Sequence, residues 1–127
     1  MSKHQSGQAI IMLLFFVIVS MMITSSAIIV AFVNSEGSSK QTSGQMALNV
    51  AESGAENALI RLLRDPSYTG AGDTSVSGAS IIVTTSGSTK TIVSTGTVGN
   101  FIRKIQVVVD YTNNVLSIQP NSWREIP

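Results

Sequence analysis

Apolar residues are massed near the start of the chain, form a stripe in its middle, and alternate toward its end. From Ala9 to Val33 the only polar side chains are Ser20, Thr24, Ser25 and Ser26, and no charged residue lies between Lys3 and Glu36. As a helix that stretch runs about 38 Å at ~1.5 Å per residue. A bilayer's hydrocarbon core is about 30 Å thick, so the stretch is long enough to span one. A helix satisfies its own backbone polar groups there. The four hydroxyls can bond back to carbonyls one turn earlier or reach another helix. Lys3 before the span puts the N-terminus in the cytoplasm and the remainder outside it.

Residues 34–44 are polar, and Gly37 and Gly44 weaken a helix by about 1 kcal/mol each relative to Ala. Helical periodicity then resumes. At about 100° per residue one arc collects Gly44, Ala47, Leu48, Ala51, Gly54, Ala55, Ala58, Leu59 and Leu62. The opposite arc holds Gln45, Asn49, Glu52, Ser53, Glu56, Asn57 and Arg64, with Ile60 and Leu63 as apolar exceptions. This predicts an amphipathic helix. Arg61 and Arg64 suit the negative end of its dipole, and Asp65-Pro66 stops it. The stripe of Ala and Gly allows close approach of the protein's own sheet, or of a similar helix in a neighbouring copy.

Tyr68 to Ser75 has the composition of a flexible loop. Beyond it the pattern predicts strands at Ala79–Thr85, Thr89–Val98, Phe101–Tyr111 and Val115–Ile118. The turns fall at 86–88, Gly99-Asn100 and Asn113-Asn114. In the third strand Phe101, Ile105, Val107, Val109 and Tyr111 share a face on which Arg103 is the exception. Lys104, Gln106 and Asp110 lie on the other face. Short connections favour an antiparallel meander. Its apolar face needs a cover, and the helix ending near Arg64 is the available one. The expected fold is α+β: a long N-terminal helix, half in lipid, whose other half packs on a small C-terminal antiparallel sheet. The expected segments are a leader at 1–7, a membrane helix at 8–33, its amphipathic continuation at 34–65 and a sheet domain at 66–127.

Composition narrows the function. The chain has 127 residues, of which 12% are charged and 43% hydrophobic. Without the span about 90 residues are left, rich in Ser, Thr and Gly, which is too little for a large enzyme core. A net charge of +1 argues against a nucleic-acid binder. The absence of Cys excludes disulfides, thiolate zinc sites and a Cys nucleophile. His4, the one histidine, precedes the span. Glu52 and Glu56 read as a solvated helix face rather than a cation site. Asp65 and Asp73 flank a Gly-rich loop whose spacing is not that of an EF-hand. No His or Lys is placed to activate a Ser or Thr, and Gly70 to Gly72 is too short for a phosphate cradle. Trp123 reads as packing, or as part of an interface. The reading is non-enzymatic, with no cofactor and no metal.

Three stretches carry a resemblance: Gly7-Gln-Ala-Ile-Ile-Met-Leu-Leu14, Met46-Ala-Leu-Asn-Val-Ala-Glu-Ser-Gly-Ala-Glu-Asn-Ala-Leu59, and Val93 to Asn100 with Arg103 to Val109. With a short leader, an uncharged helix and a small sheet, the chain resembles type IV pilin-like proteins, and among them the PilX-type minor pilins and pseudopilins. The resemblance implies cleavage between Gly7 and Gln8 by a prepilin peptidase, and N-methylation of Gln8. It also implies residence in the inner membrane, then transfer of the helix into a filament core among other pilins. Most major pilins have Phe where this chain has Gln8, and Glu where it has Met12. That Glu is thought to pair with a neighbour's N-terminal amine. Met12 therefore points to a place at the tip or in starting assembly, not in the repeating shaft. Two other readings of the span are a removed signal peptide and a plain anchor. A signal peptide's apolar stretch is about 7–15 residues, shorter than this one. A plain anchor would make the chain a single-span extracytoplasmic binding module that does not polymerise.

Overall fold

The computed structural model describes residues 5–70, 73–76 and 78–127, with the backbone alone for residues 5, 6 and 73–76. Lys3, His4 and Gly72 lie outside the described residues, as does the side chain of Asp73. The chain forms one helix, α1 (Gln5–Arg64), followed by six strands. By contacts it divides into two units, Met1–Lys40 and Gln41–Pro127.

In the first unit α1 stands alone. It is long and apolar enough to cross a membrane, and none of its most apolar window is buried within the protein. Among the described residues, backbone bonds and side-chain bonds one turn back hold this stretch. Thr24 Oγ1 donates to Ser20 O at 2.8 Å and Ser26 Oγ to Met22 O at 2.9 Å, the local bonding expected of hydroxyls in such a stretch. The polar segment that follows stays helical despite Gly37, which has open space around it. Glu36 and Lys40 pair across one turn at 3.7 Å.

The second unit is α+β. The Ala and Gly stripe is its helical half: Ala47, Ala51, Ala55, Ala58 and Leu62 are fully buried, Gly44 and Gly54 are buried, and Leu48 and Leu59 are half-buried. Ile60 and Leu63, the two exceptions on the wheel, stay exposed at 51% and 61%. The helix ends where Asp65 N donates to Arg61 O, and Ser67 N turns back onto Asp65 Oδ1.

The strands are β1 (Asp73–Val76), β2 (Ala79–Ser86), β3 (Thr89–Val98), β4 (Phe101–Thr112), β5 (Val115–Ile118) and β6 (Arg124–Ile126). They pair antiparallel in the order β1-β2-β3-β4-β5, and β6 joins β4 on its β5 side. Ala79, Ile81 and Val83 of β2, Ile92 of β3, and Ile105, Val107 and Val109 of β4 make the sheet's half of the core. Every second residue of these strands turns inward. The turns explain the register. Asn113 and Asn114 both have positive φ, 53° and 63°, as a type I′ hairpin requires. Gly99, at φ 57°, opens the β3–β4 turn in the way of a type II′ turn.

The meander from β2 to β5 follows the sequence pattern to within a residue. Two strands differ from it. β1 overlaps the end of the stretch read as a flexible loop, Tyr68 to Ser75. Asp73 is of a type depleted in strands, and this short edge strand is held by pairing with β2. β6 was hidden because a three-residue strand has no measurable period. It follows a turn at Asn121, φ 58°, and pairs Arg124, Glu125 and Ile126 with Gln106, Ile105 and Lys104.

Candidate functional site

The features read from the sequence are spread along α1. The Gly7–Gln8 peptide bond lies within the helix, and both residues are exposed. A Cβ at Gly7 would meet nothing within 4 Å. Met12 follows Gln8 by four residues, so the two share a face; it is 71% exposed. Farther along, Phe16, Val17, Ser20, Met21, Thr24 and Ser25 line a shallow groove. Oily side chains therefore surround this stretch, with one small hydroxyl-bearing notch, as suits packing in lipid or among apolar helices.

The second unit contains a seam in which helix and sheet meet almost backbone to backbone. Gly54 faces Ser94 Oγ, and a Cβ there would also stand 2.6 Å from the Ala79 Cβ. Gly96 of β3 faces the helix backbone: a Cβ would press on Ala47 O and come within 2.5 Å of Ala51 N. Only glycine fits at these two contacts. Ser94 is fully buried, and among the described residues its Oγ has no hydrogen-bond partner. Such an orphaned hydroxyl is a stability cost of about 1–3 kcal/mol.

At the C-terminal end of α1, the buried Lys90 extends its Nζ to Pro66 O at 2.6 Å and Thr85 Oγ1 at 3.3 Å. Asp65 accepts from the Ser67 hydroxyl at 2.5 Å and from its amide at 2.9 Å. These bonds, chiefly the hydroxyl's, with help from the Lys90 charge, hold its carboxyl below the ordinary aspartate value. The Arg61 guanidinium stands 5.6 Å from the centre of the Tyr68 ring. The Lys90 bond fastens the end of the helix to the sheet. Asp110 accepts from Gln119 Nε2 at 2.9 Å and from Thr89 Oγ1 at 2.8 Å. Its carboxyl is lowered by the Gln119 bond first and the Thr89 bond second.

Arg103, the basic exception on β4, lies beside Gly44 and donates to Glu125 Oε1 at 2.8 Å. Lys104 Nζ donates to Pro127 O at 3.0 Å. Together they clamp β6. Trp123 is 37% exposed just before that strand. Among the described residues no group of three or more His, Cys, Asp or Glu could hold a metal ion; Glu52 is half-buried and Glu56 exposed on the helix. The sequence reading missed the inward turn of Lys90 and Ser94. Both alternate with Ile92 and Gly96 on β3, so strand period carried the signal while residue type masked it. Set beside known protein families, curated proteins and solved structures, the chain matches none of them.

Proposed function

We propose that this chain is a non-enzymatic filament subunit, a minor pilin of the PilX type or a pseudopilin. It would be anchored by the first half of α1 until it enters a filament through that same half. The observation that carries this reading is α1 itself. One helix contains the expected Gly7–Gln8 junction, a fully exposed apolar stretch, and a Gly/Ala seam that packs on a small antiparallel sheet. A helix already satisfied in lipid is equally satisfied among apolar helices, so leaving the bilayer exchanges one apolar environment for another. The C-terminal unit would stand outside the cytoplasm, and the partners would be other pilins and a prepilin peptidase. Met12 in place of a carboxylate favours a role at the tip or in starting assembly.

The test is mass spectrometry and N-terminal sequencing of the native protein extracted from membranes. The filament reading expects a chain that begins at N-methylated Gln8. A Gly7→Val variant should retain the leader because it alters the expected cleavage site, while the open space at Gly7 lets the side chain fit without disturbing packing. An intact native Gly7–Gln8 bond, and no subunit in sheared fibres, would leave the anchored binding module instead.

A further inference from the structure

The turn between β3 and β4 differs from the other hairpin turns in what flanks it. Gly99-Asn100 stands between Val98 and Phe101, which pair, and the next pair is Thr97 with Ile102. Val98 and Phe101 are half-buried, and Ile102 is 60% exposed. Successive strand residues point to opposite faces. Phe101 therefore lies on the helix side of the sheet with Arg103, and Ile102 on the outer side with Lys104. Apolar side chains thus stand on both faces of one hairpin end. At the other end of β3, Ser86, Gly87 and Ser88 turn between Thr85 and Thr89. The turn beside them, Asn113-Asn114, has Val115 as its one exposed apolar neighbour.

The apolar end is the one at which the chain enters this unit. A Cβ at Gly44 would lie 3.9 Å from Phe101 Cδ1 and 3.6 Å from Arg103 Nη2, and the unit begins just before it, at Gln41. The apolar stretch read as a span ends at Val33. Even fully extended, residues 34–40 keep Gln41 within about 28 Å of Val33. Charge does not drive a contact at this end. Arg103 is paired with Glu125, and Lys104 Nζ donates to Pro127 O. A protein partner presents one surface and covers one face of a hairpin, whereas a fluid surrounds both. The boundary between headgroups and acyl chains is such a fluid. It takes apolar side chains to a depth of about 5–10 Å and leaves polar tips in water.

We infer that the β3–β4 hairpin end, through Phe101 and Ile102, dips into the headgroup–acyl boundary of the membrane that anchors the chain. The membrane then holds the chain at two points, the span and this turn. The contact rests only on anchoring, which the filament reading and the anchored-module reading share. N-terminal sequencing decides between those two and leaves this contact untouched.

The test uses the full chain in phosphatidylcholine vesicles, at less than one copy per vesicle. The chain lacks cysteine, so a nitroxide can be placed at Asn100→Cys in the turn. A second label goes at Ser88→Cys, exposed at the far end of β3 and about 30 Å away along the strand. Collisions of each label are measured with oxygen, which concentrates among acyl chains, and with a water-soluble nickel chelate present on both sides of the bilayer. The oxygen-to-nickel ratio at position 100 should exceed that at position 88 by at least about fivefold. Ile102→Ser changes an exposed side chain and should bring the ratio at 100 down to that at 88. About 1 M salt, which screens charges beyond about 3 Å, should leave it unchanged. The comparison of the two labels needs no change at Ile102 and so does not depend on how that variant folds. Equal ratios at 100 and 88, a ratio at 100 that Ile102→Ser leaves as it was, or one that falls in high salt would each overturn the inference. So would few collisions with both reagents at position 100, because protein rather than lipid would then cover the turn.

Discussion

Gly96→Ala tests the helix–sheet seam at its tightest point. The added methyl would point at the backbone of α1, against Ala47 O and within 2.5 Å of Ala51 N. Ordinary carbon contacts lie at about 3.5–4.0 Å, so helix and sheet must separate by about 1 Å. Backbone has no rotamer to change, and the seam's other members, Ala51, Gly54, Ala55 and Ala58, share the shift. A gap of about 0.5–1 Å forfeits roughly a quarter to a half of each contact's dispersion well. The variant therefore belongs at the upper end of the overpacking range, about 3 kcal/mol. For a unit of the size of residues 41–127, that lowers the unfolding midpoint by about 12–24 °C. Thermal unfolding of the full chain in detergent, followed by near-ultraviolet circular dichroism and Trp123 fluorescence, measures it. Gly37→Ala is the matched control. It adds the same methyl in open space and should be neutral or stabilise by up to about 1 kcal/mol. A Gly96→Ala midpoint within about 3 °C of wild type would refute the account of the seam.

Ser94→Ala removes a buried hydroxyl with no partner and should leave stability unchanged or raise it by up to about 1 kcal/mol; a clear loss in the same melt would mean that Oγ is satisfied. The carboxyls of Asp65 and Asp110 are held below their ordinary value of 3.8. Their contribution is therefore present above the unfolded value and is lost as pH falls through the lower folded one. Melts repeated from pH 7 downward should show the midpoint dropping below about pH 4, and Asp110→Asn should start lower at pH 7 and show a shallower drop. If Met12 fixes the subunit's place, Met12→Glu should alter fibre number or the subunit's position, seen by immunogold microscopy of sheared fibres. An unchanged count and position would remove the argument from that residue.

Much of the fold was legible because its two periods are clean. Ala47 to Leu62 keep a helical stripe without interruption, and Ile105, Val107, Val109 and Tyr111 hold one face of β4 with only Val108 apolar on the other, so both faces could be assigned from residue type. The turns at Gly99 and Asn113 announced themselves by side chains that tolerate positive φ. Legibility failed where tertiary pairing, not local preference, sets the structure. Asp73 to Val76 becomes a strand because β2 presents an edge to it, and Arg124 to Ile126 because Arg103 and Lys104 grip the segment they join. Lys90 and Ser94 were obscured for a different reason. Each polar side chain faces inward at a strand position that is usually apolar, one reaching a carbonyl and the other meeting a glycine. The junction proposed at Gly7–Gln8 would be cut by another protein, and in this chain both residues are simply exposed on the helix.

The two-residue connection at Gly99-Asn100 and its counterpart at Asn113-Asn114 bear on how the chain acquires its shape. Hairpins closed by such short links form on a timescale of about 1–10 μs, each pairing with the strand just made and with little loop entropy to overcome. Docking of α1 on the finished meander is the chief step that joins distant parts of the sequence. The strand pairings are therefore local in sequence, and docking of α1 is the non-local step expected to set the pace of folding.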